Sequence, residues 1–559
     1  MNKLTPLSNA QRIIHHPTFP IIILLLINLT IGLLTFRDYG LSWDEPLFYD
    51  YADSIQLAYT PQAFSASFDF EQVYGPSAAD HKYYGPAYLL AARPVQQALM
   101  TLLGADRASA WHLVNFLTFQ MGLLFFFLLL RRWFDPWPAA ATTAFFAWQP
   151  VLWGHAFINP KDAPFMVFFI IALTLGFRMV DSFSRSFKSI NHEGHDPAEE
   201  RGASEHKGRD FKVFLRDTSY PSWLNVFLVL LAAITLGATV AVRVIGPLAG
   251  LVVFAYFLLQ KNWRAFPAFL AYGLVSILVM FAAWPFLWAD PLNRLAEVLK
   301  HMSNNPTELA VLFMGQIFRA NEMPRIYLLR LFLLTLTEPT WILFFAGLIL
   351  AIRSFFTKKL DWRAPLTILS IFIFMLAYLL YNKPSVYDGY RHFLFILPPV
   401  FVFAGFTFQW IWEKLQKLNL YLPSLALLLL LPGLLGIMEM RPYEYAYYNQ
   451  FAGRAGGAYR VYETEYWLTC YKESLEWVRA NQPGKTVHIQ REFPLAAYYG
   501  DGLTLKDLGP ETEPDIRPGD LLLFSTRANL DIRSVYRNLP VLKSIGRQGA
   551  DFCLIKEKK

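Results

Sequence analysis

Two carboxylates stand side by side in Arg37-Asp-Tyr-Gly-Leu-Ser-Trp-Asp-Glu-Pro46, and three later stretches bring cations close to further acids or to helix starts. Gly154-His-Ala-Phe-Ile-Asn-Pro-Lys-Asp-Ala-Pro164 supplies His155, Lys161 and Asp162. Arg243 lies four residues before Pro247, and Tyr381-Asn-Lys-Pro-Ser-Val-Tyr-Asp-Gly-Tyr-Arg-His392 supplies Tyr387, Asp388, Arg391 and His392. A carboxylate that takes a proton, set among cations that receive an anion, is the equipment for displacing a phosphate from carbon. Asp44 and Glu45 are the candidates for the base, and Lys161, Arg243, Arg391 and His392 for the phosphate. Arginine suits phosphate through its forked donors, lysine as a point charge. His81 and Lys82 can reach the same phosphate, and Asp162, Tyr387 and Asp388 are further candidate substrate contacts. Each has a plainer reading: Asp44-Glu45-Pro46 carries ordinary helix-start signals, and cations at helix ends often snorkel to an interface.

Composition says what must position these residues. Of 559 residues 55% are hydrophobic and 17% charged, with 49 Phe and 16 Trp. A soluble chain of this kind exposes too much apolar surface, whereas a polytopic membrane protein leaves that surface in lipid. The formal charge of +7 is not gathered into an aromatic-interleaved basic patch, so nucleic acid is not an expected partner; the lipid bilayer is. No small-residue cleavage site follows the first apolar run, so no removable signal peptide is expected. The fold class expected is a mainly α-helical polytopic membrane protein of about 11 transmembrane helices with a small extracytoplasmic α/β C-terminal domain.

The eleven segments lie near 19–36, 109–130, 138–156, 164–180, 223–242, 245–260, 266–284, 339–353, 365–381, 393–411 and 420–438. Residues 84–103 are apolar but split by Arg93-Pro94, which reads as an interfacial helix. Lys and Arg collect in alternate loops: Lys3 and Arg12, Arg131-Arg132, Lys261 and Arg264, Arg353 to Arg363, Lys414 and Lys417, and the loop 181–221. That side is the expected cytoplasm, which places the amino terminus inside a cell membrane and the chain after 438 outside. Residues 1–438 then form the transmembrane domain, with a first outer loop 37–108 and a flexible cytoplasmic loop 181–221 in which His192 and His195 are solvated. Residues 439–559 form the outer domain. There Tyr471–Asn481 reads as a helix, Thr486–Ile489 and Leu521–Phe524 as strands, and Val541–Ile545 with Phe552–Ile555 as a terminal pair. Cys470 and Cys553, the only cysteines, both fall in it, and an oxidising exterior permits a disulfide.

All the reactive candidates sit at the outer ends of segments. Asn159 is a plausible cap with Pro160 and Asp162 following, so the positive end of the next helix faces the outer headgroups and suits an anion. Asp44, Glu45, Asp162 and His155 together are compatible with a divalent metal, although their spacing does not demand one. No cofactor is otherwise implied, and no glycine-rich nucleotide fingerprint is present.

The Trp-Asp-Glu-Pro loop, the Asn-Pro-Lys-Asp turn, the Tyr-Asp-Gly-Tyr-Arg-His turn leading into Leu-Pro-Pro, and the later Arg441-Pro-Tyr-Glu-Tyr-Ala-Tyr-Tyr-Asn449 occur in an order that resembles a known family. It is the bacterial branch of the C-type membrane glycosyltransferases, relatives of the protein O-mannosyltransferases and of the aminoarabinose transferases that modify lipid A. The resemblance covers about residues 19–470. It implies inverting transfer of a sugar from a polyprenyl-phosphate carrier to a protein, lipid or glycan acceptor on the outer face, with Asp44 in the place of the catalytic base. Where the family often reads Asp-Tyr-Trp-Gly, this chain has Glu465-Tyr466-Trp467-Leu468, and no role is carried over to that segment. Two alternatives stay open: a transporter or channel for an anionic or lipid-linked substrate, which calls for charges near the midplane and often a repeated half, and a ligase of a whole lipid-linked glycan.

Overall fold

Long apolar runs fold as the sequence suggests, into helices, several of which begin at or next to a proline. The computed structural model describes residues 16–65, 67–192, 222–303, 307–417, 422–509 and 515–559. Five described helices are long and apolar enough to cross a bilayer: Arg107–Leu130, Asp162–Phe183, Trp263–Ala282, Pro339–Phe356 and Arg363–Asn382. Shorter apolar helices occupy Phe19–Thr35, Leu224–Val240, Pro247–Gln260 and Leu428–Met440. This is the architecture of a helical membrane protein.

The helix Asp162–His192 is the hub. Arg107–Leu130, Ser222–Val240 and Pro247–Gln260 pack against it, and its apolar part is buried almost throughout. It runs on to His192, into the stretch expected to be a flexible loop, because nothing between Asp181 and His192 breaks a helix before Gly194. Residues 193–221, with His195, lie outside the described residues.

Two further expected boundaries moved, both at prolines. The segment 138–156 is two helices, Pro136–Ala147 and Pro150–Ile158, because Pro150 offers no N–H and pushes Gln149 out of the helical region to ψ 118°. Gln149 compensates by bonding Thr337: its Oε1 accepts from the Thr337 N–H at 2.9 Å, and its Nε2 donates to Thr337 Oγ1 at 3.0 Å. The segment expected from 393 is a 3-10 turn, Arg391–Ile396, and the α-helix starts only at Pro398.

The stretch 37–108, expected to be a loop, is itself folded. Glu45–Ser54 and Ala87–Leu103 are helices, the latter where an interfacial helix was expected. Gly85 makes the approach between this loop and the turn after Val240 as close as it is. A Cβ there would lie 2.1 Å from the Ala241 carbonyl oxygen, and the next bond, Ala87 N–H to Ala241 O, is 3.0 Å.

The C-terminal part carries a five-stranded sheet in the order β4-β3-β5-β7-β6, with β3 Thr486–Ile489, β4 Thr504–Asp507, β5 Leu521–Ser525, β6 Val541–Arg547 and β7 Ala550–Glu557. A separate hairpin pairs β1 Ala310–Phe313 with β2 Gln316–Arg319. In the larger sheet β3 runs parallel to β4 and β5, while β7 runs antiparallel to β5 and β6. The helix Cys470–Asn481 is tied to β7 by the Cys470–Cys553 disulfide, whose Cα atoms are 5.8 Å apart.

Candidate active site

Asp44 stands at the N-cap position of Glu45–Ser54, yet its side chain makes no capping bond. Its carboxylate turns outward instead. Asp44 Oδ2 accepts from Arg391 Nη1 at 2.6 Å and from Lys161 Nζ at 3.3 Å. The loop is held in this pose by Trp43, whose N–H donates to the Trp467 carbonyl at 3.0 Å.

Lys161 lies in the tight turn between two buried helices. Asn159 Oδ1 accepts from the backbone N–H of Lys161 at 3.1 Å and of Asp162 at 2.8 Å, an Asx turn that aims the lysine side chain at Asp44. The same bonds occupy the amides of Lys161 and of Asp162, the first helical residue, and Pro164 has none, so the helix start expected to receive an anion is largely capped by Asn159. The Lys161 ammonium instead faces the rings of Tyr84 at 4.8 Å and Phe48 at 5.0 Å.

Arg391 is the centre of the cluster. Its Nη2 lies 3.2 Å from Asp388 Oδ2, its Nη1 lies 3.9 Å from Asp162 Oδ2, and its guanidinium covers the Trp467 ring at 4.3 Å and the Tyr387 ring at 5.3 Å. Arg243 pairs with Asp162 Oδ1. Asp44, Asp162 and Asp388 are thus interleaved with Lys161, Arg243 and Arg391, and all but Asp44 and Arg243 are nearly inaccessible; Asp44 keeps 19% of its side chain exposed. The structure therefore brings together Asp44, Lys161, Asp162, Arg243, Tyr387, Asp388 and Arg391.

Electrostatics follow from that packing. Burial acts to raise the Asp44 pKa, but Lys161 and Arg391 outweigh it and hold the carboxyl well below the usual range. For Lys161 burial opposes the charge, and Asp44 more than restores it, so its pKa is raised. Burial, then Arg391, Arg243 and Lys161, push His392 far down, so it is a neutral ring packed edge-on to Tyr387 and not the fourth cation expected.

Three other expectations do not meet the cluster. Glu45 is fully buried and faces the opposite way: it accepts from the Ser42 N–H and from the Tyr49 hydroxyl, each at 2.5 Å, and its Oε1 lies 3.1 Å from His112 Nε2. His81 is packed between Phe48 and Tyr51, and burial followed by the Lys161 charge pushes its pKa down to about 4, so it is neutral as well. Lys82 lies over the rings of Tyr83 and Phe286. The metal set does not converge either. His155 Nε2 meets the Tyr466 hydroxyl at 3.3 Å, Glu45 points away, and among the described residues no group of three or more His, Cys, Asp or Glu is arranged to hold a metal.

Sequence reasoning missed the C-terminal contributors. Arg527, after β5, reaches back so that its Nη2 lies 2.6 Å from Asp388 Oδ1, while its Nη1 donates to the Tyr466 carbonyl at 2.7 Å. Trp43 lies between the guanidinium groups of Arg491 and Arg527, each 4.8 Å from its ring. Trp467 belongs to the Glu465-Tyr-Trp-Leu segment to which no role was given. The aromatic residues of that segment were the one available signal; nothing near Arg527 marked it.

No family profile matches the chain, and no curated relative matches it. Solved structures are similar, two of them from Archaeoglobus fulgidus. One is the apo oligosaccharyltransferase of Archaeoglobus fulgidus, at 11% identity and a TM-score of 0.45, covering 93% of this chain and 70% of that one. The other is the oligosaccharyltransferase AglB of Archaeoglobus fulgidus in complex with an inhibitory peptide and a dolichol-phosphate, at 12% identity and a TM-score of 0.50, covering 95% of this chain and 71% of that one. At such identity the likeness is one of fold, and over nearly its whole length the chain has the fold of an archaeal oligosaccharyltransferase.

Proposed function

We propose that the protein is an inverting glycosyltransferase of the outer face of a cell membrane, which moves a sugar from a polyprenyl-phosphate carrier to the hydroxyl of a protein, lipid or glycan acceptor. The observation that carries this reading is the Asp44 carboxylate, freed from its capping role and held between Lys161 and Arg391. The shared fold with a protein solved with a dolichol-phosphate supports it.

In this reading Asp44 is the base. It takes the acceptor proton while the acceptor oxygen attacks the anomeric carbon opposite the phosphate. The bond from that carbon to the phosphate oxygen breaks, and its electron pair leaves with the lipid phosphate. Lys161 and Arg391, with Arg243 beside them, receive that growing charge. Before the donor arrives these cations keep Asp44 ionised. When the phosphate engages them, Asp44 loses its counter-ions and becomes the stronger proton acceptor that the reaction needs. Tyr387 and Asp388 border this path, Asp388 by orienting Arg391.

In this proposal the chain stands with the protein O-mannosyltransferase-like and aminoarabinose-transferase-like members of the class, which its motif order supports, and has eleven spans, a cytoplasmic amino terminus and residues 439–559 outside, which its apolar runs and loop charges support. Transfer of a whole lipid-linked glycan is a second reading, favoured by the name of the Archaeoglobus fulgidus protein. Purified protein in proteoliposomes, given synthetic polyprenyl-phosphate sugars of one and of several residues, separates the two. Turnover with inverted product configuration is expected with the single sugar. Turnover only with the longer donor selects the second reading, and failure to bind or use any lipid-phosphate donor overturns both.

A further inference from the structure

Arg527 lies in the C-terminal domain, far along the chain from the membrane helices, and is 1% exposed. It begins a relay of alternating charge. Its Nη2 lies 2.6 Å from Asp388 Oδ1, Asp388 Oδ2 lies 3.2 Å from Arg391 Nη2, and Arg391 Nη1 donates to Asp44 at 2.6 Å. The two terminal nitrogens of Arg391 are thus divided between Asp388 and Asp44.

Next to Arg527 the backbone is unfavourable: Ala528 has φ 47°, a left-handed conformation that an alanine keeps only where its surroundings over-determine it. Glu463 does so here, accepting from the Ala528 N–H with both oxygens at 3.1 and 3.2 Å. A buried ion pair is a weak source of stability, so docking the domain does not by itself account for such an arrangement.

We propose that Arg527 is a positioning residue for donor binding: acting through Asp388, it fixes how Arg391 presents its guanidinium to Asp44 and to the donor phosphate. This rests on the role given above to Asp44, Lys161 and Arg391. With Arg527 in place Asp388 is shared, and Arg391 keeps positive charge for the phosphate. Without it Asp388 neutralises Arg391 alone and draws it away from the site. The outer domain is then a working part of the site and not a separate module.

The test uses the full-length protein in nanodiscs, with donor KM and kcat measured beside the thermal shift produced by polyprenyl phosphate alone. Arg527→Gln keeps a donor for the Tyr466 carbonyl and removes the charge. It is expected to raise the donor KM and weaken polyprenyl-phosphate binding by about ten-fold, with kcat less affected. Arg527→Lys recovers part of the loss, and adding Asp388→Asn to Arg527→Gln is expected to restore part of the donor affinity, because Asp388 then no longer draws Arg391 away. Should Arg527→Gln fail to fold, Arg527→Lys, which keeps the charge but not the forked reach, is expected to show a smaller loss of the same kind. Folded variants with donor KM and polyprenyl-phosphate binding like the wild type overturn this role alone. A wild-type protein that neither binds the lipid phosphate nor transfers sugar overturns the underlying reading together with it.

Discussion

Arg391 Nη1 donates to Asp44 Oδ2 at 2.6 Å across 347 residues of chain. Asp44 stands just before the Glu45–Ser54 helix, Arg391 opens the turn before the Pro398 helix, and Lys161 completes the contact from a third element. In the proposed reaction, this carboxylate, kept ionised by two cations that turn to the incoming phosphate, is a base stored in its active form.

Asp44→Asn keeps the shape and removes the proton acceptor, so turnover is expected to fall on the order of 10²-fold or more. Donor affinity should hold or tighten, since Lys161 and Arg391 lose their competitor for the phosphate. A folded Asp44→Asn protein with near-normal turnover in the transfer assay would return the residue to a structural role.

Arg391→Lys and Arg391→Ala should both raise the donor KM and lower kcat, because a phosphate contact acts in the ground state and strengthens as charge leaves. They should also move the acid limb of the pH profile. In the wild type the Asp44 pKa is depressed, so kcat/KM keeps its base ionised below the ordinary carboxylate range. In Arg391→Ala that limb shifts to higher pH, because burial is then opposed by Lys161 alone. A pH–rate profile of folded variants with an unmoved limb would remove Asp44 as the titrating base.

Glu45→Gln is expected to act on stability. Glu45 accepts from Ser42 and Tyr49 in a fully buried position, and spoiling such bonds costs about 1–3 kcal/mol. Thermal unfolding should report the loss, while kcat per folded molecule stays near that of the wild type. A fall in kcat as large as for Asp44→Asn would make the two carboxylates a catalytic pair after all.

Burial pushes Glu463 and Glu465 up to about 7, against Arg527 and backbone amides that favour their charged forms. Their folded pKa values lie above the unfolded value of about 4.3. Their protonated forms therefore contribute stability that is complete below about pH 4.3 and is lost as pH rises through 7, on the order of a few kcal/mol in all. Melting curves between pH 5 and 8 should show the decline, and Glu463→Gln should flatten part of it. A Glu463→Gln slope equal to that of the wild type would refute the assignment for that residue.

A reporter active only outside the cytoplasm is expected to work when fused after residue 439 and to be silent when inserted near Gly194, as the loop charges require. The opposite pattern would put the Asp44 cluster on the cytoplasmic face.

Much of this was legible locally. A charge cannot sit cheaply in hydrocarbon, so Asp44, Lys161, Arg243 and Arg391 had to fall at the ends of apolar runs, where composition and span length locate them. Period and punctuation also pointed to strands at Thr486–Ile489 and Leu521–Phe524 and a helix at Tyr471–Asn481, each within a residue of the elements observed, and the two cysteines drew attention as a pair that the structure joins. Proline positions held the remaining corrections, at Pro150 and Pro398, where the chain broke or delayed a helix that hydropathy alone ran through.

What the sequence by itself determined, then, is the set of ionisable residues gathered at one end of the apolar segments. The tertiary structure decided which of them meet. Asp44 and Glu45 are neighbours, but successive residues entering a helix turn by about 100°, so one faces Arg391 and the other the interior beside His112. Lys161 and Arg391 make Asp44 a depressed acid where burial alone pointed to a raised one. Arg527 enters from beside the C-terminal sheet through contacts that leave no periodic trace, because ion pairing between distant parts of the chain depends on where the chain returns and not on what lies beside it in sequence.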